Sequence, residues 1–399
     1  MVAPACPAYE HGGHADPRLR ESLPWLVGAA VGGALMVSTV ALSLHLTFRH
    51  LQNYTRPPLQ RPITRILLMV PLYSICSWLS FVTIEWATYI SVVRDCYEGF
   101  VVYNFFILCL EYLGPNEASR ERALANKPRR RFPPPACCIS HDPNSRHFLG
   151  FCKLGIMQYV FVRVATTSAA VVMEVAKVYC PESMSPHFGH MYTTIANAVS
   201  VGLAMFTLIS FYLPIRGDIS QFRPVGQFLS IKFVIFFQFW LGIAIKLMVS
   251  NGLVRSNGVW TVEQFSMLLQ NFIINLEMMI AAILHVWAFD YTPFRTLTGE
   301  PMPITIGLWD SFYWLDLWHD MIYIGRFVAQ RLGLVRDSQH VLLPGDDNEH
   351  DGYDDENGGD TDEEPPEAGT QGGRSRTASG APSATLPFVI TDTARSSEQ

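Results

Sequence analysis

Long apolar segments recur along the first three quarters of the chain, and short polar loops separate them. A helix needs about 20 apolar residues to cross a bilayer, because its backbone polar groups must be satisfied inside the helix. Seven such lengths in series exceed ordinary helix statistics, which disfavours the alternative of buried helices in a soluble protein. The seven predicted spans are Leu23–Phe48, Ile66–Ile90, Cys96–Leu113, Phe148–Val178, Tyr192–Ile215, Val225–Val249 and Val262–Phe289.

This pattern predicts an all-α, polytopic membrane protein with four parts. A short exterior segment, 1–22, precedes a seven-helix membrane domain, 23–290. A cytosolic segment with an amphipathic helix, 291–335, is followed by a tail, 336–399. The tail is acidic, rich in Ser and Thr and poor in apolar residues, so it is expected to be disordered.

The distribution of Lys and Arg predicts the orientation of the spans, because short cytosolic loops carry an excess of basic residues. One set of loops holds thirteen: Arg49, Arg56, Arg61, Arg65, Arg120, Arg122, Lys127, Arg129, Arg130, Arg131, Arg146, Arg216 and Arg223. The other side holds four: Arg18, Arg20, Arg94 and Arg255. The N-terminus is therefore expected outside and the C-terminus in the cytosol.

Composition agrees with a membrane domain, since 49% of residues are hydrophobic and 16% are charged. The net charge of -6 comes largely from the tail, so it gives no reason to expect a nucleic-acid partner. The eight cysteines show neither metal-site spacing nor a secreted disulfide framework. Cys137 and Cys138 lie in a basic loop, where palmitoylation and a merely solvated loop both fit.

Residues Trp314–Leu332 have the periodicity of an amphipathic helix. We expect it to lie on the cytosolic face of the membrane, with Asp316 and Asp320 on the polar side. Trp314 and Leu317 also form the aromatic-x-x-aliphatic pattern by which short peptides dock on ubiquitin-like autophagy proteins. Both residues fall on the apolar side, so membrane burial and partner docking would compete for them.

Ionisable residues at membrane depth usually face a bundle interior, a cavity or a partner. Counting about 1.5 Å per residue places Arg163 and Glu277 near the middle of the fourth and seventh spans, so the two are expected to pair. Gln238 and Asn275 lie at similar depth. These four residues are the candidate substrate pathway, and a structural ion pair that only fixes helix packing is the alternative.

Catalytic motifs are absent from the sequence, which has no phosphate-binding Gly loop, no H-E-x-x-H and no G-x-S-x-G. We therefore expect no enzyme activity, no cofactor and no metal site. A G-protein-coupled receptor shares the predicted span number, but its Asp-Arg-Tyr and Asn-Pro-x-x-Tyr patterns do not occur in the corresponding spans.

Several short motifs, in order along residues 23–295, resemble the organic solute transporter subunit alpha and transmembrane protein 184 family, in a fungal-type form. They are Tyr97-Glu98-Gly99-Phe100 with Tyr103-Asn104-Phe105, Glu111-Tyr112-Leu113-Gly114, Cys152-Lys153-Leu154-Gly155 with Gln158-Tyr159, Phe222-Arg223-Pro224 with Lys232-Phe233, Phe239-Trp240, and Gln270-Asn271-Phe272 with Glu277-Met278.

The resemblance implies seven spans, an exterior N-terminus and transport of sterol-like or bile-acid-like anions together with a single-span accessory subunit. Fungal relatives of this layout also imply a vacuolar or endosomal membrane rather than the plasma membrane, and recruitment of a ubiquitin-like autophagy protein. Two functional hypotheses follow: a transporter for amphipathic organic solutes, and a membrane adaptor for autophagy. Membrane lipid is an expected contact in both, and a homo-oligomer is compatible with both.

Overall fold

The computed structural model describes residues 20–125, 127–131, 140–145, 147–180, 185–219, 224–253, 261–295, 301–313 and 315–331. Six of its elements are helices of 27 to 30 residues, and the others are shorter. In chain order the elements are α1 Leu23–Gln52, α2 Pro57–Leu67, α3 Met69–Val82, a 3₁₀ turn Ile84–Trp86, α4 Ala87–Leu113, α5 Glu117–Ala125, β1 Arg130–Arg131, β2 Ser140–His141, α6 Phe148–Val175, α7 Gly189–Ile215, α8 Pro224–Ser250, α9 Val262–Ala288, α10 Thr292–Arg295, α11 Ile304–Ser311 and α12 Leu315–Arg331.

Six described stretches are long and apolar enough to cross a membrane: Leu23–Gln52, Pro57–Val82, Ile84–Leu113, Phe148–Val175, Gly189–Ile215 and Gln264–Arg295. Helix α8 is also 27 residues long, and among its described residues the apolar helical segment is Trp240–Val249. Large apolar side chains are exposed on the outer faces of these helices, as lipid contact requires. The polytopic all-α membrane fold is thus confirmed, while the seven-span count stays a prediction.

Local sequence explains where several helices begin and break. Pro71 has no backbone N–H to bond the carbonyl of Leu67, so the helix is interrupted at Leu68, between α2 and α3. Helix α9 begins with a capping box, in which Thr261 accepts a hydrogen bond from the backbone N–H of Gln264 and the Gln264 side chain bonds back to Thr261.

The boundary between the second and third spans differs from the prediction. The predicted second span ended at Ile90 and the third began at Cys96, whereas the second helical stretch ends at Val82 and α4 begins at Ala87. Because residues 66–93 are almost continuously apolar, hydropathy could not locate the turn near Thr83. Arg94 and Asp95 consequently lie inside α4 rather than in a loop.

The long helices form two packed groups. In the first group, α9 packs against α1, α3 and α8, and α1 packs against α3. In the second group, α6 packs against α4 and α7. Contacts of α4 with α2 and α3 join the groups.

One end of the bundle, here named the basic end, carries Arg49, Arg56, Arg61 and Arg65, and the helix α11 contacts it. The compact unit that these helices form ends at Phe327, inside α12. Residues Cys137, Cys138 and Trp314 and the tail 336–399 lie outside the described residues, so the predictions on them stay predictions.

Candidate functional site

Arg163 on α6 is the centre of a charged cluster at membrane depth. Its guanidinium lies 2.7 Å from a carboxylate oxygen of Glu98 and 3.1 Å from one of Asp95, both on α4. The Arg163 Nε also donates a hydrogen bond to the backbone carbonyl of Asp95. The Tyr159 hydroxyl donates to the other Glu98 oxygen at 2.9 Å. We name these four residues the Arg163 cluster.

Helix geometry explains why the cluster can form. Asp95 and Glu98 are three residues apart on α4, so their side chains lie on one face of that helix. Arg163 and Tyr159 are four residues apart on α6 and face them in the same way. Gly99 allows the two helices to approach, because an added Cβ there would lie 3.3 Å from the Val160 Cα.

The predicted ion pair between Arg163 and Glu277 is wrong. Arg163 meets α4, while Glu277 lies on α9, which packs in the other helix group. Both Glu277 carboxyl oxygens are buried, and neither has a hydrogen-bond partner among the described residues. Two residues at equal depth in a bundle are neighbours only if their helices are neighbours, which a sequence count does not reveal.

Asn275 and Gln238 were both predicted to line the substrate pathway, but of these two the structure describes only the Asn275 side chain. Asn275 is buried, accepts a hydrogen bond from the Ser74 hydroxyl at 2.5 Å and donates one to the Gly32 carbonyl at 3.1 Å. It therefore ties α9 to α3 and α1. Gln238 lies in α8, but its side chain is outside the described set, so its part in a pathway stays a prediction.

The Arg163 cluster contains one cation and two carboxyl groups, and its Arg side chain is only 18% exposed. An organic anion that used Arg163 would have to replace one of the carboxylates as its partner. Bidentate, exchangeable contacts of this kind suit a guanidinium, which carries five donors. Among the described residues, no group of three or more His, Cys, Asp and Glu is placed to hold a metal ion.

A second feature is an apolar groove of about 520 Å³ near the basic end, between α1, α2 and α11. Its volume is in the range of small-molecule sites, and its walls are mainly apolar with a few polar side chains. Its lining includes Ala41, Leu44, His45, Phe48, Leu308 and Phe312.

The chain after α9, which the sequence predicts to face the cytosol, is held to the helix bundle by several contacts. Asp310 on α11 accepts a hydrogen bond from the Tyr54 hydroxyl at 2.5 Å and pairs with Arg61 at 2.5 Å. Burial and the hydrogen bond to Asp310 hold the Tyr54 pKa well above its usual range, so this hydroxyl remains a donor. Buried Arg65 donates to the backbone carbonyls of Ser311 and Tyr313. The residue immediately before Trp314 is thereby fixed to the bundle.

Helix α12 is also held at the basic end. Asp320 accepts a hydrogen bond from the Tyr103 hydroxyl at 2.7 Å and lies 3.6 Å from the Lys153 ammonium. Asp320 was expected on the polar side of an interfacial helix, but it faces the membrane domain because these two partners are there. Burial raises the pKa of neighbouring Tyr323 to about 12. Leu317 is half-buried, while Leu315 and Trp318 are exposed.

Sequence reasoning missed Asp95 and His285. Asp95 had been placed in a loop, and the signal that could have found it is the i, i+3 spacing with Glu98. His285 is 2% exposed, and neither ring nitrogen has a hydrogen-bond partner in the described part of the chain. Nothing in the sequence distinguishes it from a histidine near a helix end.

Comparison with known families gives one match. The family model of the organic solute transporter Ostalpha matches residues 28–294, which include most of α1, all of α9 and the whole Arg163 cluster. No solved structure matches this chain. The matched range covers more than half of the 399 residues. This chain belongs to the organic solute transporter Ostalpha family, as the motifs in its sequence predicted.

Proposed function

We propose that this protein moves amphipathic organic anions, such as sterol conjugates or bile-acid-like solutes, across a membrane. The observation that supports this most directly is the Arg163 cluster, in which a cation on α6 pairs with two carboxylates on the adjacent helix α4. Charged groups at this depth are costly and are retained where they contact a substrate, an ion or one another. In the proposed step, the solute anion takes the place of Asp95 beside Arg163.

The apolar groove near the basic end is consistent with solutes that partition into the bilayer. An amphipathic solute would place its apolar body against Leu44 and Phe48. Its charged group would remain near the exposed side chains of His45 and Arg49. The groove and the Arg163 cluster lie in different helix groups, so we propose them as two separate contacts along one route.

Reconstitution tests the proposal directly. Purified protein in vesicles is expected to take up a radiolabelled steroid sulfate faster than protein-free vesicles. Arg163→Gln, combined with Asp95→Asn and Glu98→Gln so that no carboxylate is left without its cation, should reduce uptake at least tenfold. Arg129→Ala, on an exposed side chain, is the matched control and should retain wild-type uptake. Unchanged uptake in the triple variant would remove Arg163 from the route.

We propose seven spans with the N-terminus outside and the basic end in the cytosol. Two observations support this orientation, of which the first refines the count of basic residues and the second is independent of it. Arg94 lies within α4, which leaves still fewer basic residues in the opposite loops. Cys180, in the segment between α6 and α7 at the opposite end, is disulfide-bonded, and disulfides persist in oxidising compartments. A thiol label that cannot cross membranes tests this at cysteines introduced in α5 and after α6.

The second candidate function is a vacuolar or endosomal adaptor that recruits a ubiquitin-like autophagy protein through Trp314 and Leu317. It is favoured by the exposed aromatic and aliphatic side chains beside that motif, including Trp309, Phe312 and Trp318. Because Leu317 is half-buried, α12 would have to turn outward for docking. Capture of the partner by full-length protein should be lost in a Trp314→Ala, Leu317→Ala variant. Equal recovery would eliminate this motif.

A single-span accessory subunit and a homo-oligomer are the partners we propose for the transporter. The exposed apolar faces of α1 and α7 could contact either of them or lipid. Native mass spectrometry of complexes purified from the original cell distinguishes these three occupants. Imaging of a tagged copy in the same cell tests the vacuolar or endosomal location.

A further inference from the structure

Helix α11 has the reverse polarity of a helix that lies on a protein surface in water. Gly307 and Ser311 are buried against the bundle, and Asp310 pairs on that side with Tyr54 and Arg61. The exposed large side chains of α11 and of the residues after it are apolar or aromatic: Ile304, Ile306, Leu308, Trp309, Phe312, Tyr313 and Leu315. A surface helix in water presents polar residues to the outside. The outer face of α11 therefore requires an apolar environment.

The contact with Arg65 gives the depth at which α11 ends. The span Pro57–Val82 has 26 residues, about 39 Å, so each of its ends extends about 4 Å beyond a hydrocarbon core of about 30 Å. Arg65 lies eight residues after Pro57, which is about 12 Å along the axis and thus about 8 Å inside the core. Its guanidinium donates to the backbone carbonyls of Ser311 and Tyr313. The end of α11 is therefore below the surface of the core.

Asn104 on α4 gives an independent count of the same depth. Arg65 donates a hydrogen bond to the Asn104 side chain at 3.3 Å. Successive spans alternate in direction, so Ile84–Leu113 ends at the basic end, and its 30 residues extend about 8 Å beyond the core there. Asn104 lies nine residues before Leu113, about 14 Å along the axis and so about 6 Å inside the core. The two counts agree to within one helical turn.

Both ends of the segment that α11 and α12 form are held at the basic end. Before α11, the Met302 backbone N–H donates to the carbonyl of Tyr54, in the loop that precedes Pro57. In α12, Tyr323 interacts with Glu117 of α5, the short helix that follows α4. The chain therefore enters the core along α11 and leaves it along α12.

The backbone at the deepest part of this segment has protein partners, as the membrane interior requires. The last carbonyls of a helix have no partner within that helix, and leaving them unpaired in hydrocarbon is costly. Arg65 supplies donors to two carbonyls at this end, those of Ser311 and Tyr313. The Thr64 and Ser311 hydroxyls are hydrogen-bonded to each other at 2.9 Å. These polar groups are thus satisfied from the bundle side, while the apolar side chains point away from it.

The outer face of the segment continues a surface of α1 that already faces lipid. Leu308 and Phe312 line the groove of about 520 Å³ together with Leu44 and Phe48, which are exposed on α1. On α12, one exposed face carries in order Leu315, Trp318, Ile322 and Arg326. Apolar residues followed by a cation fit a helix that passes from acyl chains to anionic headgroups.

We propose that α11 and α12, as far as Arg326, form a re-entrant hairpin whose outer face binds phospholipid acyl chains, with Arg326 at the headgroups. The hairpin enters and leaves the membrane at the same end, so it adds no span. The sequence predicted a helix lying flat on the membrane, whereas Asp310 and Asp320 of the hairpin face the bundle. A hairpin tip inside the core is out of reach of a cytosolic protein, so this lipid surface and docking at Leu317 exclude each other.

Photolabelling of the unaltered full-length protein tests the surface. The protein is reconstituted with a phospholipid that carries a diazirine in the middle of an acyl chain, and a second sample carries the diazirine on the headgroup. Trypsin releases residues 296–326 as one peptide, because no Lys or Arg precedes Arg326 within it. The mid-chain probe should label this peptide at least fivefold more than the headgroup probe, with adducts at Trp309 and Phe312.

The other labelling patterns overturn the hairpin. Labelling mainly by the headgroup probe would return α11 to the membrane surface. Absence of label from both probes, beside a labelled α1, would mean that water, a second copy or another protein covers this face.

Thiol reactivity gives a second measure with a matched control. Trp309→Cys places a single cysteine in peptide 296–326 on the outer face of α11, and Ala118→Cys places one at an exposed position of α5. In open membrane fragments, a maleimide that cannot enter lipid should modify Trp309→Cys at least tenfold more slowly than Ala118→Cys, because the reactive thiolate forms where water reaches it. Equal rates would overturn the proposal, and complete modification of both variants in SDS shows that both thiols are intact.

Discussion

Two polar sets in the membrane domain, the Arg163 cluster and the buried polar residues at the α1–α9 interface, differ in their pairing. Arg163 contacts two carboxylates, and Tyr159 occupies another acceptor position of Glu98. Glu277 has no hydrogen-bond partner among the described residues, and His285 has none either.

The difference shows that an ionisable residue inside a membrane helix can have either of two physical roles. In a set of paired charges, the mutual attraction offsets much of the desolvation cost. The pairing also fixes which helices pack together. An unpaired carboxyl gains no such attraction, so its burial is a net cost to the stability of the fold. Depth alone therefore does not distinguish a paired residue that fixes helix packing from an unpaired one, and the partners must be known.

The largest expected effect comes from breaking the paired set. Arg163→Ala leaves two carboxyl groups buried without their cation, which should lower the free energy of unfolding by about 3–5 kcal/mol. Reversible denaturation in mixed micelles measures it. Arg129→Ala, whose side chain is 77% exposed, should change the value by less than about 0.5 kcal/mol. Equal stability of the two variants would show that the cluster is not the packing device described above.

An effect of opposite sign is expected at the unpaired set. Glu277→Leu replaces a buried, unsatisfied carboxyl by an apolar side chain, so the free energy of unfolding should rise by about 1–3 kcal/mol. The same denaturation measurement applies, with Glu85→Leu as a control at a partly exposed carboxylate. Destabilisation by Glu277→Leu would mean that Glu277 has a stabilising partner, which would remove the contrast with Arg163.

The smallest effect is expected at an ion pair near the edge of the bundle, which calibrates the other two. The Lys153 and Asp320 side chains lie 3.6 Å apart, and both are partly exposed. A double-mutant cycle with Lys153→Met and Asp320→Asn should give a coupling of about 0.2–1 kcal/mol, which should fall in high salt. A coupling as large as that of the Arg163 cluster would indicate that α12 is packed as firmly as the long helices.

Much of the fold could be predicted from the sequence because the bilayer sets helix length. The lengths of apolar segments predicted the helices, and the ordered motifs predicted the family. The boundary near Thr83 was missed, since hydropathy does not change there. Asp320 was assigned to water because helical periodicity put it on the polar side of its helix, yet the Tyr103 hydroxyl donates a hydrogen bond to it and Lys153 pairs with it.

The sequence by itself determined that Arg163 and Glu277 lie in the middle of apolar helices, because depth follows from counting residues along a helix axis. Only the tertiary structure decided their partners, because the position of a helix around the bundle depends on how side chains interlock across it. Gly99, for example, brings α4 against α6 and so gives Arg163 its two carboxylates. Glu277 points into a different interface, where no described side chain reaches its oxygens.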